Sequence, residues 1–285
     1  MSIDTDSNTD TDTDTDIESR DVSNTRTSAV QDGDALLETK GLSKEFGGLV
    51  ATDDVNIQIN RGEQVSLIGP NGAGKSTLIN LITRRLEPTS GDIRFKNNSI
   101  VGLDPYEVVQ RGVSKSFQTA SIFPDLTVRE NAEIAGLAAE NGAFDFQLLT
   151  HRDSLTDVHQ RARDTLEAVG LLDSADETAA DLPYGDKRRL EIGIALAAEP
   201  DLLLMDEPTA GMSPEETNAT VELIEEVKQA LDLTFMLVEH DMEIVFSISD
   251  RIIVLNRGRV IAEGAPEEIR GNPAVQEAYL GGADL

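Results

Sequence analysis

At 285 residues the chain is long enough to bury a sizeable core, yet no stretch approaches the ~20 consecutive apolar residues of a bilayer span, and its N-terminus lacks an apolar signal core. Fifty-three Asp and Glu against 24 Lys and Arg leave a formal charge of −29, which repels nucleic acid over most of the surface and argues against a DNA- or RNA-binding protein. The absence of cysteine excludes disulfides and cysteine metal sites, and suits a cytosolic protein.

Only seven of the basic residues are Lys, and this depletion beside the acid excess points to adaptation to high salt. Residues 1–34 are built from Asp, Thr and Ser, including the repeat Thr9–Asp16, and are expected to form a disordered acidic tail. From Ala35 the pattern changes. Leu36–Lys44 and Val55–Ile59 alternate like half-buried strands, and Gln64–Ile68 is a short strand leading into a Gly-rich run.

That run, Gly69-Pro70-Asn71-Gly72-Ala73-Gly74-Lys75-Ser76-Thr77, is a complete G-x-x-x-x-G-K-[ST] loop. It precedes a helix expected from about Lys75 to Arg85. A strand, a Gly-rich turn and a helix together aim several backbone N–H groups and a helix N-terminus at one point, where phosphate binds. Gly72 and Gly74 are expected to admit phosphate oxygens where a Cβ would block them. Lys75 would reach the β- and γ-phosphates, and the Ser76 hydroxyl would sit on Mg²⁺. A nucleoside triphosphate is the expected ligand.

Beyond the loop, Ser121–Leu182 reads as mostly helical, and Asp164–Val169 is a helical pattern capped by Gly170. A second helical pattern, Lys187–Ala198, ends at Pro200. Leu202–Met205, Thr234–Val238 and Ile252–Leu255 are apolar runs without polar alternation, as in parallel strands covered on both faces. Arg257-Gly258 turns the chain into Val260–Ile261. The pattern predicts an α/β nucleotide-binding core with a helical lobe, residues 121–185, inserted in it.

Asp206 and Glu207 close the apolar run Leu202–Met205, placing two carboxylates at the end of a buried strand. Asp206 fits a Mg²⁺-coordinating acid, and Glu207 a base that deprotonates or polarises a water. His240 lies just past Thr234–Val238, where an imidazole can hydrogen-bond the γ-phosphate and hold Glu207 in line. Gln118 sits where the core passes into the helical lobe, with an amide suited to Mg²⁺. Phe46, before Gly47-Gly48, either stacks on adenine or plugs the core.

In order, Phe46, Gly69–Thr77, Gln118, Leu182-Pro183-Tyr184-Gly185-Asp186, Asp206-Glu207 and His240 resemble the motifs of the ATP-binding subunit of an ABC transporter. They match its adenine-stacking aromatic, Walker A, Q-loop, signature, Walker B with catalytic Glu, and switch His. The resemblance covers about residues 35–285 and implies a P-loop NTPase core with a mostly parallel sheet, an N-terminal antiparallel β subdomain and an inserted helical subdomain. It also implies ATP and Mg²⁺ as cofactors, with Tyr184 and Gly185 facing nucleotide across a dimer.

Within the family the chain is most similar to the ATPases of branched-chain amino-acid importers. The signature through Ile192, Ala210–Pro214, Glu239–Met242 and the closing Asn272–Gly281 carry that likeness. Urea and short-chain amide importers share several of these marks. The likeness implies membrane permease subunits and a second ATP-binding subunit as partners, at the cytoplasmic face of the membrane. Alternatives are a soluble ABC-type clamp on DNA or ribosomes, or a regulatory subunit that binds ATP without turnover. The acidic surface and the lack of long heptads oppose the first, and Glu207 and His240 oppose the second. Pro183 stands where the family has Ser, Asp186 where it has Gln, and Ser213 where an Asp is usual. The half-site built on this chain's signature is therefore expected to be slow.

Overall fold

The structure is a computed structural model that describes residues 35–116, 122–141 and 152–280. The predicted tail, 1–34, lies outside the described residues, as does Gln118. β1 (Ala35–Phe46) and β2 (Leu49–Asn60) are joined at Gly47-Gly48, whose φ values of 53° and 92° suit a tight hairpin. β4 (Ser90–Phe95) pairs with the other edge of β1, and β5 (Asn98–Ser99) returns along β4. The resulting antiparallel sheet runs β2-β1-β4-β5.

A second sheet holds β3 (Gln64–Ile68), β6 (Val113–Ser116), β7 (Leu202–Asp206), β8 (Thr234–Val238), β9 (Arg251–Asn256) and β10 (Arg259–Gly264), in the order β10-β9-β3-β8-β7-β6. Its pairings are parallel except for the β9–β10 hairpin. β3 and β8 are buried at every position, which explains why their sequences lack polar alternation. Successive residues of β7 and β8 serve opposite layers. Leu202, Leu204, Met236 and Val238 join the core beneath the antiparallel sheet and α1 (Lys75–Ile82). Leu203, Met205, Phe235 and Leu237 join a core with α3 (Val128–Asn141), α4 (Arg152–Ala168), α5 (Tyr184–Leu196) and α6 (Pro214–Leu231).

Helix boundaries depart from expectation for local reasons. α1 stops at Ile82 rather than Arg85 because Arg84 turns left-handed, with φ 58°. α5 starts three residues before Lys187, with Pro183 as its N-cap. α4 is far longer than Asp164–Val169, its buried stripe running Val158, Ala162, Leu166 at helical spacing. α2 (Pro105–Gln110) and α6 open on capping boxes, Asp104 with Glu107 and Ser213 with Glu216, that the sequence reading passed over. Between 122 and 182 the described residues hold α3, α4 and two 3-10 turns, Leu172–Ser174 and Ala179–Asp181. α7 (Met242–Ile248), α8 (Pro266–Arg270) and α9 (Pro273–Leu280) complete the described chain.

Candidate nucleotide site

β3 delivers Gly69 to the C-terminal edge of the parallel sheet, where the loop turns back into α1. A Cβ on Gly69 would lie 2.0 Å from the Leu255 carbonyl oxygen, and one on Gly74, φ 106°, would lie 2.4 Å from that of Ala51. Around Gly72 there is nothing within 4 Å. The glycines therefore divide, which corrects the expectation for Gly74. Its missing side chain makes room for β2, and Gly72 is the residue that leaves the cradle open. The Gly258 N–H donates to the Ala73 carbonyl at 2.8 Å, and the Asp53 N–H donates to that of Gly258 at 2.8 Å. The β9–β10 turn thus ties the loop to β2.

Lys75 is only 7 % exposed, and its ammonium donates to the carbonyls of Gly69 (2.5 Å) and Pro70 (3.3 Å). Burial pushes its pKa below the ordinary lysine range, while the carboxylates of Glu207 and Asp206 pull it back up. Ser76, Asn71 and Gly72 are exposed at the loop surface, and Pro70 and Thr77 are half-buried.

Asp206 ends β7, and its Oδ2 accepts from Lys115 Nζ on β6 at 2.9 Å in a largely buried pair. Glu207 follows with φ 51°, an uncommon backbone for a residue with a side chain. Its N–H donates to the Val238 carbonyl at 2.8 Å, pinning it to the end of β8. Its Oε1 lies 2.9 Å from His240 Nε2. Glu239, 4 % exposed, accepts from the Thr209 N–H (3.0 Å) and hydroxyl (2.7 Å), fastening the turn after Glu207 to the turn carrying His240.

The structure thus brings Lys75, Asp206, Glu207 and His240 to one edge of the sheet. Phe46 stands at the end of β1, partly exposed, with Lys44 Nζ 5.0 Å from its ring centre. Tyr184, 56 % exposed, and Gly185 stand on a different element, the first turn of α5, whose leading N–H groups lack intrahelical acceptors. The sequence did not single out Lys115 or Thr209, and Glu239 entered only as part of the family likeness, without the role it has here. A lysine inside Val113–Ser116 and an acid directly after an apolar run were the available signals.

A Gly-rich loop between β3 and α1, two acids at the end of β7, and a separate antiparallel sheet define an ATP-binding cassette. The chain belongs to the ABC transporter family, whose description matches residues 52–210, and it is an ATP-hydrolysing member of it. A second family, described as branched-chain amino acid ATP-binding cassette transporter, matches residues 259–284. The chain is 43 % identical over 251 residues to the high-affinity branched-chain amino acid transport ATP-binding protein LivG of Escherichia coli (strain K12), covering 87 % of this chain and 98 % of that protein. It is 34 % identical over 260 residues to the probable LivG of Methanocaldococcus jannaschii, covering 88 % of this chain and all of that one. Among solved structures, the ADP conformation of an ATP-binding cassette of an ABC transporter superposes with TM-score 0.76 at 33 % identity, over 87 % of this chain and 99 % of that one.

Proposed function

We propose that this chain is the ATP-hydrolysing subunit of an importer for branched-chain amino acids, working at the cytoplasmic face of the membrane with permease subunits and a second ATP-binding subunit. The names of its relatives and the match at 259–284 support the substrate class. Among the described residues no helix is long and apolar enough to cross a membrane, so the translocation path falls to the permease. In this reading residues 35–285 are the ATPase and the helices within 121–185 dock on the permease. The charge of −29 supports work at high salt.

The observation that carries the chemistry is the 2.9 Å contact between Glu207 and His240, beside Asp206 and across from Lys75. Glu207 takes a proton from water as the water oxygen bonds to the γ-phosphorus and the bond to the β,γ-bridging oxygen breaks. His240 orients Glu207 and the γ-phosphate. Lys75 leaves the Gly69 and Pro70 carbonyls for phosphate oxygens. The N–H groups of 69–77 cradle the phosphates, with Phe46 on the adenine. The exposed Ser76 hydroxyl, the Asp206 carboxylate and the amide of Gln118, which lies outside the described residues, are the groups that would hold Mg²⁺. Bound there, Mg²⁺ would neutralise charge on the phosphates. Tyr184 and Gly185 face the nucleotide held by the second subunit.

Glu207→Gln is expected to lower ATP hydrolysis by about 100-fold or more while nucleotide binding persists, measured by phosphate release and by titration calorimetry. A loss of only severalfold removes Glu207 as the base. For the substrate, hydrolysis by the chain co-purified with its permease should respond to leucine, isoleucine or valine, and a response to urea or short amides instead assigns a different importer.

A further inference from the structure

Arg188 lies on α5, the helix that begins with the signature residues, yet its side chain points inward and the residue is 6 % exposed. Its Nε donates to the Pro208 carbonyl at 2.9 Å and its Nη2 to the Glu207 carbonyl at 3.3 Å. Nη1 pairs with Glu191 one turn along the helix. One guanidinium, planar and rigid, therefore spans two successive carbonyls of the turn that leaves β7.

That turn is unusual. Glu207 holds a left-handed backbone, which is unfavourable for a residue with a Cβ and persists only where its surroundings enforce it. On one side the enforcement comes from β8, through the Glu207 N–H to the Val238 carbonyl. On the other it comes from Arg188. The direction of the Glu207 side chain toward His240 follows from this backbone.

We propose that Arg188 is a positioning residue: it fixes the Glu207 turn from the signature helix of the same subunit, so that the base of one half-site is set by the element that serves the other. The proposal rests on Glu207 as the base. A shift of α5 relative to β7 changes the geometry of Glu207 without touching bound nucleotide. Lysine substitutes only in part, because one ammonium on a flexible stem does not reproduce the two-carbonyl fork.

The test is a double-mutant cycle in the full-length chain, following phosphate release from radiolabelled ATP. Arg188→Met is expected to lower kcat by about 10- to 100-fold with KM for ATP within about twofold, the mark of a group acting on the chemical step. In a Glu207→Gln background the same substitution should change the residual rate by less than about threefold. Arg188→Lys, the variant to use if Arg188→Met does not fold, should show the same split with a smaller loss. Near-normal hydrolysis by Glu207→Gln alone removes the base and this proposal together. A full fall in Glu207→Gln, with an Arg188 effect that is absent, confined to KM, or multiplied in full onto the double variant, removes this proposal alone.

Discussion

Gly72 and Gly74, two residues apart in the same loop, illustrate how differently a missing Cβ is used at the residue scale. Gly74→Ala drives a methyl into the Ala51 carbonyl and forces φ 106° on a residue with a Cβ, so it should cost about 2–4 kcal/mol of stability. Gly72→Ala, with open space around it, should cost only about 1–2 kcal/mol, the left-handed penalty, while weakening ATP binding. Urea melts and calorimetric titration of both variants separate the two, and equal destabilisation would count against the division. The nine-residue motif was legible because phosphate geometry dictates its residue types. The roles of its glycines were not, since Leu255 and Ala51 reach the loop from distant sequence. Lys115 and Glu239 were illegible for the same reason: a charged residue beside apolar ones does not announce its partner across the sheet.

At the scale of elements, the N-terminus of α5 and the helix α9 carry the informative departures. Pro183 caps α5 without a side-chain hydrogen bond, where a serine would offer a hydroxyl. Pro183→Ser should add about 1 kcal/mol to helix stability and raise hydrolysis severalfold in the assembled complex. An unchanged rate in that complex argues against a slow half-site. α9 leans on the phosphate loop through Tyr279, whose phenolic oxygen accepts from the Gly69 backbone and whose pKa burial raises from 10.0 to about 12. The folded state therefore keeps the phenol proton where the unfolded chain releases it. The contribution is whole below pH about 10 and lost as pH climbs toward about 12. Tyr279→Phe should narrow that alkaline loss by up to roughly 2 kcal/mol, read from melts across this window. Parallel strands were easy to foresee because burial on both faces leaves no polar alternation. α6 was not, since its apolar positions Leu223, Ile224 and Val227 are diluted by a run of glutamates on the exposed face.

For the whole molecule, 53 acids on one chain make self-repulsion a first-order term. Raising KCl from about 0.1 to about 2 M shortens the screening length from ~10 Å to below ~3 Å. The melting temperature should climb by several degrees, and an osmotically matched sugar should not reproduce the full effect. Full stability without salt would dispose of the salt-adapted reading. The α/β core and its inserted helical lobe followed from the order of strands, loop and helices, and the antiparallel subdomain from the family resemblance, whereas the lengths of α4 and α5 depended on packing that no local pattern specifies.

β7 and β8 contribute alternate side chains to two hydrophobic layers, and this makes each strand common property of both. Neither layer can loosen without dragging the other, so the amides of these strands are expected to be among the last to exchange in native-state hydrogen exchange. Asp206, at the end of β7, is accordingly anchored to a strand gripped from both faces. The bend one residue later, held between Arg188 and the Val238 carbonyl, is where a shift of a neighbouring helix can act without displacing the strand.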